Sequence, residues 1–187
     1  YIKTEEILAC PEILVGANND KLLNIIQNYF NAKFKLDWIW AWWSYPTKDL
    51  AGPQYFHRDY ESMNFLKVFI YLTDVGEKNG PHEIIQGSHN MNLFYKRQRF
   101  KDEDIFSKID IKKKKSFVGK AGTTFLANTY GIHRGLQPEE KERLVLVYLF
   151  SIIPSNRSPK LPYLNSKDLN FVIKNKYVYD QFVNFNN

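Results

Sequence analysis

The sequence predicts a mainly β fold, a sandwich or open barrel with flanking helices. Three observations carry this reading: many short strand-like runs between turn residues, one amphipathic helix near the N-terminus, and a polar tail beyond the last strand. Residues 20–30 (DKLLNIIQNYF) place Leu22, Leu23, Ile26 and Phe30 at helical spacing, with Asn19 or Asp20 available as a cap. Residues 34–45 (FKLDWIWAWWSY) are aromatic and partly alternating, which is strand chemistry. The tryptophans Trp38, Trp40, Trp42 and Trp43 are expected to form core on one face, with one or two lining a pocket mouth. Pro46 ends the strand, and 46–53 reads as a polar loop.

Residues 54–60 (QYFHRDY) and 65–73 (FLKVFIYLT) read as two strands, the second apolar enough to be central and buried. GEKNGP at 76–81 is a tight turn, and HEIIQ at 82–86 is a short strand that stops at Gly87. The stretch 89–109 reads as polar and helical in two pieces. Strands resume at 115–118, 122–127, 130–134 and 142–152, where ERLVLVYLFSI is the strongest strand signal in the chain. Beyond Pro154, short helices are expected across 166–184. With no internal repeat and no linker, one domain over 1–187 is expected. Its core lies at about 34–152, and the N-terminal helix and C-terminal helical tail pack around it.

Composition narrows the function classes. The chain has 187 residues, enough to bury a sizeable core, and its 44% hydrophobic content argues against disorder. No apolar run approaches the ~18 residues that a membrane span needs, so no membrane partner is expected. Cys10, the single cysteine, excludes an internal disulfide and a multi-cysteine zinc site. It reads as a small buried residue ahead of Pro11, and the setting as reducing and cytoplasmic. The chain starts at Tyr1 rather than methionine, consistent with a trimmed terminus. The net charge of +6 is modest, and the one dense cationic run, Lys112 to Lys115, reads as a solvated loop. No defined nucleic-acid motif is present, so a nucleic acid is not the expected partner. Oligomeric state is not readable.

The chemistry concentrates in four residues. His57 and Asp59 form a His-x-Asp pair, His133 follows 76 positions later, and Arg143 ten beyond that. Two histidines and one carboxylate are the ligands that hold Fe(II) on one face and leave the other open for a co-substrate and O2. On a strand, residues two apart point to the same side, so His57 and Asp59 meet one metal while Arg58 points away. Arg143 stands at the head of the apolar run LVLVYLF and needs a partner, which a carboxylate ligand supplies. His82 and His89 read as hydrogen-bonding turn residues, and Glu139, Glu140 and Glu142 as solvated charges.

Taken in order, AWWSYP (41–46), Q-x-x-H-R-D (54–59), FLKVFIYLTDV (65–75), NGPHEIIQGSH (79–89), GTTFLANTYGIHRG (122–135) and RLVLVYLF (143–150) are similar to one known family. The chain resembles the phytanoyl-CoA dioxygenase-like branch of the Fe(II)/2-oxoglutarate-dependent oxygenases from about residue 11 to 150. The resemblance implies a double-stranded β-helix, a cupin-like jelly-roll. It implies His57, Asp59 and His133 as the catalytic iron ligands and Arg143 as the anchor for the distal carboxylate of 2-oxoglutarate. Gln54 matches a polar position of the motif, and Thr124 and Tyr45 are further partners for the oxo acid. Phe69 stands where the family often has tryptophan, and Asn128 where an aspartate is common. The implied cofactors are Fe(II), 2-oxoglutarate and O2, and the implied reaction is hydroxylation of a small organic metabolite with release of succinate and CO2. A carboxylate at Asp59 leaves no room for the halide that a halogenase of this superfamily binds. Two alternatives stay open: a catalytically silent jelly-roll that binds a small molecule, and an oxygenase acting on nucleic acid or protein. The loop 46–53, the insertion 89–114 and the tail after Pro154 are expected to choose the substrate.

Overall fold

The computed structural model describes residues 1–50, 52–155, 158–159 and 162–186. Among the described residues, the α-helices are α1 (Thr4–Leu8), α2 (Pro11–Ala17), α3 (Asp20–Phe30), α4 (Asp102–Phe106) and α5 (Lys176–Tyr179). The strands among them are β1 (Lys35–Ser44), β2 (Phe65–Tyr71), β3 (His82–Ile85), β4 (Lys114–Phe117), β5 (Thr124–Ala127), β6 (His133–Gly135), β7 (Arg143–Ser151), β8 (Leu164–Asn165) and β9 (Val183–Asn184). Among them, one sheet has the order β1-β7-β2-β5, a second β4-β3-β6, and β8 pairs with β9. Two compact units are present, residues 1–41, 61–68 and 147–187 in the first, and 42–60 and 69–146 in the second.

In the first unit, α3 forms where its periodicity places it. The Asn19 side chain accepts from the backbone N–H of Lys21 and Leu22, satisfying two donors that the helix cannot. Asn31 ends it in the left-handed conformation at φ 47°, and Ile26 and Phe30 are its buried face. The helices α1 and α2, too short to show a period, precede it. Tyr148 and Tyr179 donate their hydroxyls to the carbonyls of Ile13 and Ala17 in α2. Burial pushes both phenols far up, so they stay neutral donors. Asp37, fully buried on β1, accepts from Ser151, from the Ser155 N–H and hydroxyl, and from Ser158. Those donors stand in for the water that its carboxylate gives up.

Two expectations change here. Cys10 is exposed, its thiol 3.1 Å from a Glu12 oxygen, because the start of a short surface helix does not cover it. The tryptophans are not the core of β1. Ile39 and Ala41 occupy the buried face, whereas Trp38 and Trp40 stack on each other half-buried. In the second unit, Trp42 is half-buried and Trp43 is 40% exposed.

In the second unit, β3 lies between antiparallel β4 and β6, with Ile84 opposite His133 and Glu83 opposite Arg134. The strand expected at 54–60 reduces to two single bridges, Phe56 with Phe100 and His57 with His133. Gln54 belongs to a 3-10 turn (Gly52–Gln54), and the Asp59 N–H turns to the Thr129 carbonyl, so the ladder cannot extend either way. The two helical pieces expected in 89–109 become a 3-10 turn (Ser88–Asn90) and α4, with irregular chain between. There the carbonyls of Ser88, Met91 and Leu93 accept from the Arg58 guanidinium, so they are not left to a helical ladder. Phe56, Ile85, Phe100, Ile105, Ile109 and Ile132 form the apolar core beneath this segment. The tail after Pro154 carries α5 and a 3-10 turn (Ser166–Asp168) as expected, together with the unforeseen β8–β9 pair.

Candidate metal centre

His57 and His133 face each other across a backbone pair, each N–H bonded to the other's carbonyl at 2.9 Å. Their ring centroids are 4.3 Å apart. Each imidazole places Nδ1 against the carbonyl two residues before it: His57 against Tyr55 at 2.8 Å, His133 against Gly131 at 2.9 Å. A carbonyl only accepts, so both Nδ1 atoms carry the proton, and in the neutral ring it is then Nε2 that presents the lone pair. The Asp59 carboxylate closes the group, 3.7 Å from His57 Nε2 and 3.2 Å from His133 Nε2. One donor atom from each residue lies within 4.8 Å of the other two. Burial, then the neighbouring His133, push the His57 imidazole down to about 3 against the pull of Asp59. A neutral imidazole is the form that binds a metal. Three converging donors, two nitrogen and one oxygen, fit a divalent transition metal of the Fe(II) kind.

Local sequence explains how the ligands stay in place. Asn128 accepts from the Tyr130 N–H and Gly131 returns to the Asn128 carbonyl, making the turn that delivers His133. The buried Ser88 hydroxyl accepts from the Ile132 N–H at 2.7 Å, fixing the residue before the ligand. Arg58, between the two ligands of the first pair, points away as the alternation predicts. It donates to the carbonyls of Tyr130, Ser88, Met91 and Leu93 at 2.6 to 3.2 Å. Arg134, next to His133, bonds Glu83 at 2.7 Å and Asp102 at the start of α4. Burial works against the Glu83 charge, but Ser116, Lys114 and Arg134 hold its carboxyl below the ordinary range. Of these supporting residues, only Asn128 stood out in the sequence. The partners of Arg58, Ser88 and Arg134 lie 30 to 72 positions away, and only the arginines' placement beside the histidines and Asp59 hinted at them.

Arg143 is 5% exposed at the head of β7. Its guanidinium donates to the Gly80 carbonyl and to the Ser44 hydroxyl, and its Nε is buried without a partner. It forms no ion pair among the described residues, and burial lowers its pKa. It lies against Gly135, where a Cβ would come within 3.2 Å of its Nη2, and Gly135 is two residues beyond His133 on the same strand. Gly80 is obligatory, with φ 71° and a Cβ position 2.5 Å from the Leu136 carbonyl oxygen.

The remaining sequence-predicted residues divide. Phe69 is buried and stacked on Phe125, 4.5 Å from the His82 ring, which in turn is 5.4 Å from His133. Gln54 is half-buried in the 3-10 turn that packs against β6. Tyr45 is 59% exposed and stacked on Trp43, and its carbonyl accepts from Gln137. Thr124 is exposed and donates its hydroxyl to the Gly122 carbonyl, so the structure does not bring it to the centre. His89 is exposed, as a turn residue should be.

Comparisons with known proteins follow this geometry. No curated protein sequence matches the chain. HygX from Streptomyces hygroscopicus, solved with nickel and 2-oxoglutarate bound, superposes with a TM-score of 0.59 at 18% identity, covering 83% of this chain and 72% of HygX. EctD from S. alaskensis, with 2-oxoglutarate and 5-hydroxyectoine, gives 0.60 at 19% identity, covering 75% of this chain and 52% of EctD. SnoN, a non-heme alpha ketoglutarate dependent epimerase from nogalamycin biosynthesis, gives 0.59 at 15%, covering 78% of this chain and 58% of SnoN. These likenesses show the fold: mainly β with flanking helices, the double-stranded β-helix. No helix among the described residues is long and apolar enough to cross a membrane. Residues 19–137, more than half of the sequence, match the phytanoyl-CoA dioxygenase family, and the chain belongs to that family.

Proposed function

We propose that this protein is an Fe(II)- and 2-oxoglutarate-dependent dioxygenase that hydroxylates a small organic metabolite in the cytoplasm. The observation that carries the reading is the convergence of His57, Asp59 and His133 within 4.8 Å, with both histidines held as Nε2 donors. Structural relatives support it, having been solved with iron or nickel and with 2-oxoglutarate, hygromycin B or 5-hydroxyectoine bound. When bound, the iron, with 2-oxoglutarate and O2, supplies oxidation of a substrate C–H bond as the oxo acid becomes succinate and CO2.

The chain's own residues do the rest. His57, Asp59 and His133 would hold the metal and leave room beside it for the co-substrate. The carboxylate cancels one of the metal's charges, and the Tyr55 and Gly131 carbonyls keep the imidazoles turned inward. Arg143 takes the distal carboxylate of 2-oxoglutarate, its unpartnered Nε adding a donor to a buried cation that lacks an anion. The ring of Phe69, packed on His82, keeps that side apolar and dry. Gln54, on the turn beside β6, is a secondary polar contact for the oxo acid. Thr124 and the Tyr45 ring are not assigned such a role.

Incubation with Fe(II), 2-oxoglutarate and O2, with succinate read by mass spectrometry, tests the reading. Slow succinate formation without added substrate, abolished in His133→Ala, is the expected result. A folded protein that neither retains Fe(II) nor consumes 2-oxoglutarate overturns it. Since one structural relative is an epimerase, product analysis by incorporation of 18O from O2 separates hydroxylation from other C–H chemistry.

A further inference from the structure

His82 reads from the sequence as a turn residue, but it heads β3 and is 4% exposed. Its ring lies among Phe69, Phe117 and Phe125, with centroids 4.5, 6.1 and 5.6 Å away. The Tyr71 hydroxyl fixes its backbone, accepting from the His82 N–H at 2.9 Å and donating to the Phe117 carbonyl at 2.8 Å. Among phenyl rings an imidazole costs more to bury than another phenyl would, unless its polar edge serves something.

Three observations set this ring between the metal centre and Arg143. The first is register: on antiparallel β6, Gly135 is the partner of His82 and His133 the partner of Ile84. Residues so opposed project to one face, and residues two apart on a strand share it, so His82, Gly135 and His133 point the same way. The second is contact, since the His82 ring is 5.4 Å from the His133 ring and tilted only 27° from it. The third is Arg143 itself. A Cβ on Gly135 would come within 3.2 Å of Arg143 Nη2, so the guanidinium fills the space that a side chain opposite His82 would take. Arg143 also donates to the Gly80 carbonyl, two residues before His82. A 2-oxo acid that reaches from the metal ligands to Arg143 therefore passes His82.

We propose that His82 is a binding residue for 2-oxoglutarate, donating a ring N–H to the distal carboxylate that Arg143 anchors. This deepens the function proposed above and rests on that reading. An imidazole offers an N–H whether neutral or charged, so the contact needs no proton uptake. The aromatic wall around it excludes water, where a hydrogen bond to a carboxylate is stronger. The same contact selects the co-substrate, because an oxo acid without a distal carboxylate leaves the donor unmet.

Calorimetric titration of the nickel-loaded protein with 2-oxoglutarate, and separately with 2-oxobutyrate, which lacks the distal carboxylate, tests the role. His82→Phe keeps a ring among the phenyl groups and removes the donor, whereas His82→Gln keeps a donor and gives up the ring. The expected result is 2-oxoglutarate binding about tenfold weaker in His82→Phe and partly recovered in His82→Gln. Affinity for Ni(II) and for 2-oxobutyrate should stay unchanged in both. A ring that only packs predicts the reverse order, with His82→Phe like the wild type and His82→Gln the weaker. That order, or an equal loss for both oxo acids, overturns the role of His82 and leaves the oxygenase reading standing. Should neither variant fold, the ring N–H resonance of His82 in the wild type, located through its contacts with Phe69, decides. A downfield shift with 2-oxoglutarate and none with 2-oxobutyrate supports the contact, and no shift with either overturns it. A folded wild type that binds neither Ni(II) nor any oxo acid overturns the oxygenase reading, and the role of His82 with it.

Discussion

Arg58 and Arg143 are two buried guanidiniums of the same unit, 4% and 5% exposed, and neither has a carboxylate partner among the described residues. Their surroundings differ. Arg58 meets four backbone carbonyls, from Ser88, Met91, Leu93 and Tyr130, through its two Nη atoms, while its Nε, like that of Arg143, is buried without a partner. Arg143 meets one carbonyl and one hydroxyl, against a glycine that clears space beside it. A guanidinium has five N–H donors. Where four carbonyls gather on the Nη atoms, the charge braces the chain; where only two acceptors do, beside a glycine, the charge is available to an anion. Burial alone does not tell the two apart, but the acceptor count does.

Removing each cation tests the contrast. Arg58→Met should cost the most, about 3 kcal/mol or more, because it leaves several buried carbonyls without donors. Urea denaturation of the metal-free protein measures it, and a loss under about 1 kcal/mol would mean those carbonyls find other donors. Arg143→Gln should weaken 2-oxoglutarate binding roughly 10- to 150-fold, the worth of about 1.5 to 3 kcal/mol for a charged hydrogen bond. Its own stability should change little, and Arg143→Lys should recover part of the affinity by keeping the charge without the fork. Calorimetric titration reads both.

His57 sets a pH test on the ligands that these arginines flank. Its folded value of about 3 lies below the ordinary 6.5, so the unfolded chain binds the proton more readily. Stability of the metal-free protein from this group is therefore complete above about pH 6.5. It falls as pH drops toward 3, with a slope of at most about 1.4 kcal/mol per pH unit. His57→Asn should remove that slope in a series of urea titrations; an unchanged slope would place the proton elsewhere. The smallest effect belongs to Ser88→Ala, about 1 kcal/mol from the lost acceptor at the Ile132 N–H.

What the sequence showed of all this follows from how local each signal is. The helix α3 and strands β1, β2 and β7 were legible because a period of 3.6 or a long apolar run needs no knowledge of distant partners. The His57-x-Asp59 pair was legible because both ligands sit on one short segment, and Arg143 because a cation heading an apolar strand is conspicuous. Arg58 gave no such signal. Two of its four acceptors, the carbonyls of Met91 and Leu93, lie in the stretch 89–109 that reads as polar helix, and they go to Arg58 instead of a helical ladder. The family resemblance offers Thr124 as a partner for the oxo acid, but its hydroxyl closes on Gly122 two residues back. The tryptophans read as core because they are large and apolar. Ile39 and Ala41 take the packed face, and the bulky indoles are covered on one side only. The two-residue pair of β8 and β9 is too short for any period to announce.

The central claim is that His57, Asp59 and His133 hold Fe(II) while Arg143 holds 2-oxoglutarate. An anaerobic titration of the metal-free protein with Fe(II) and 2-oxoglutarate, followed through the visible metal-to-ligand charge-transfer band, tests both halves at once. The account expects a band in the wild type, none in His133→Ala, and in Arg143→Gln a band that needs at least tenfold more 2-oxoglutarate. A folded wild-type protein without the band, or a band indifferent to His133, would contradict it.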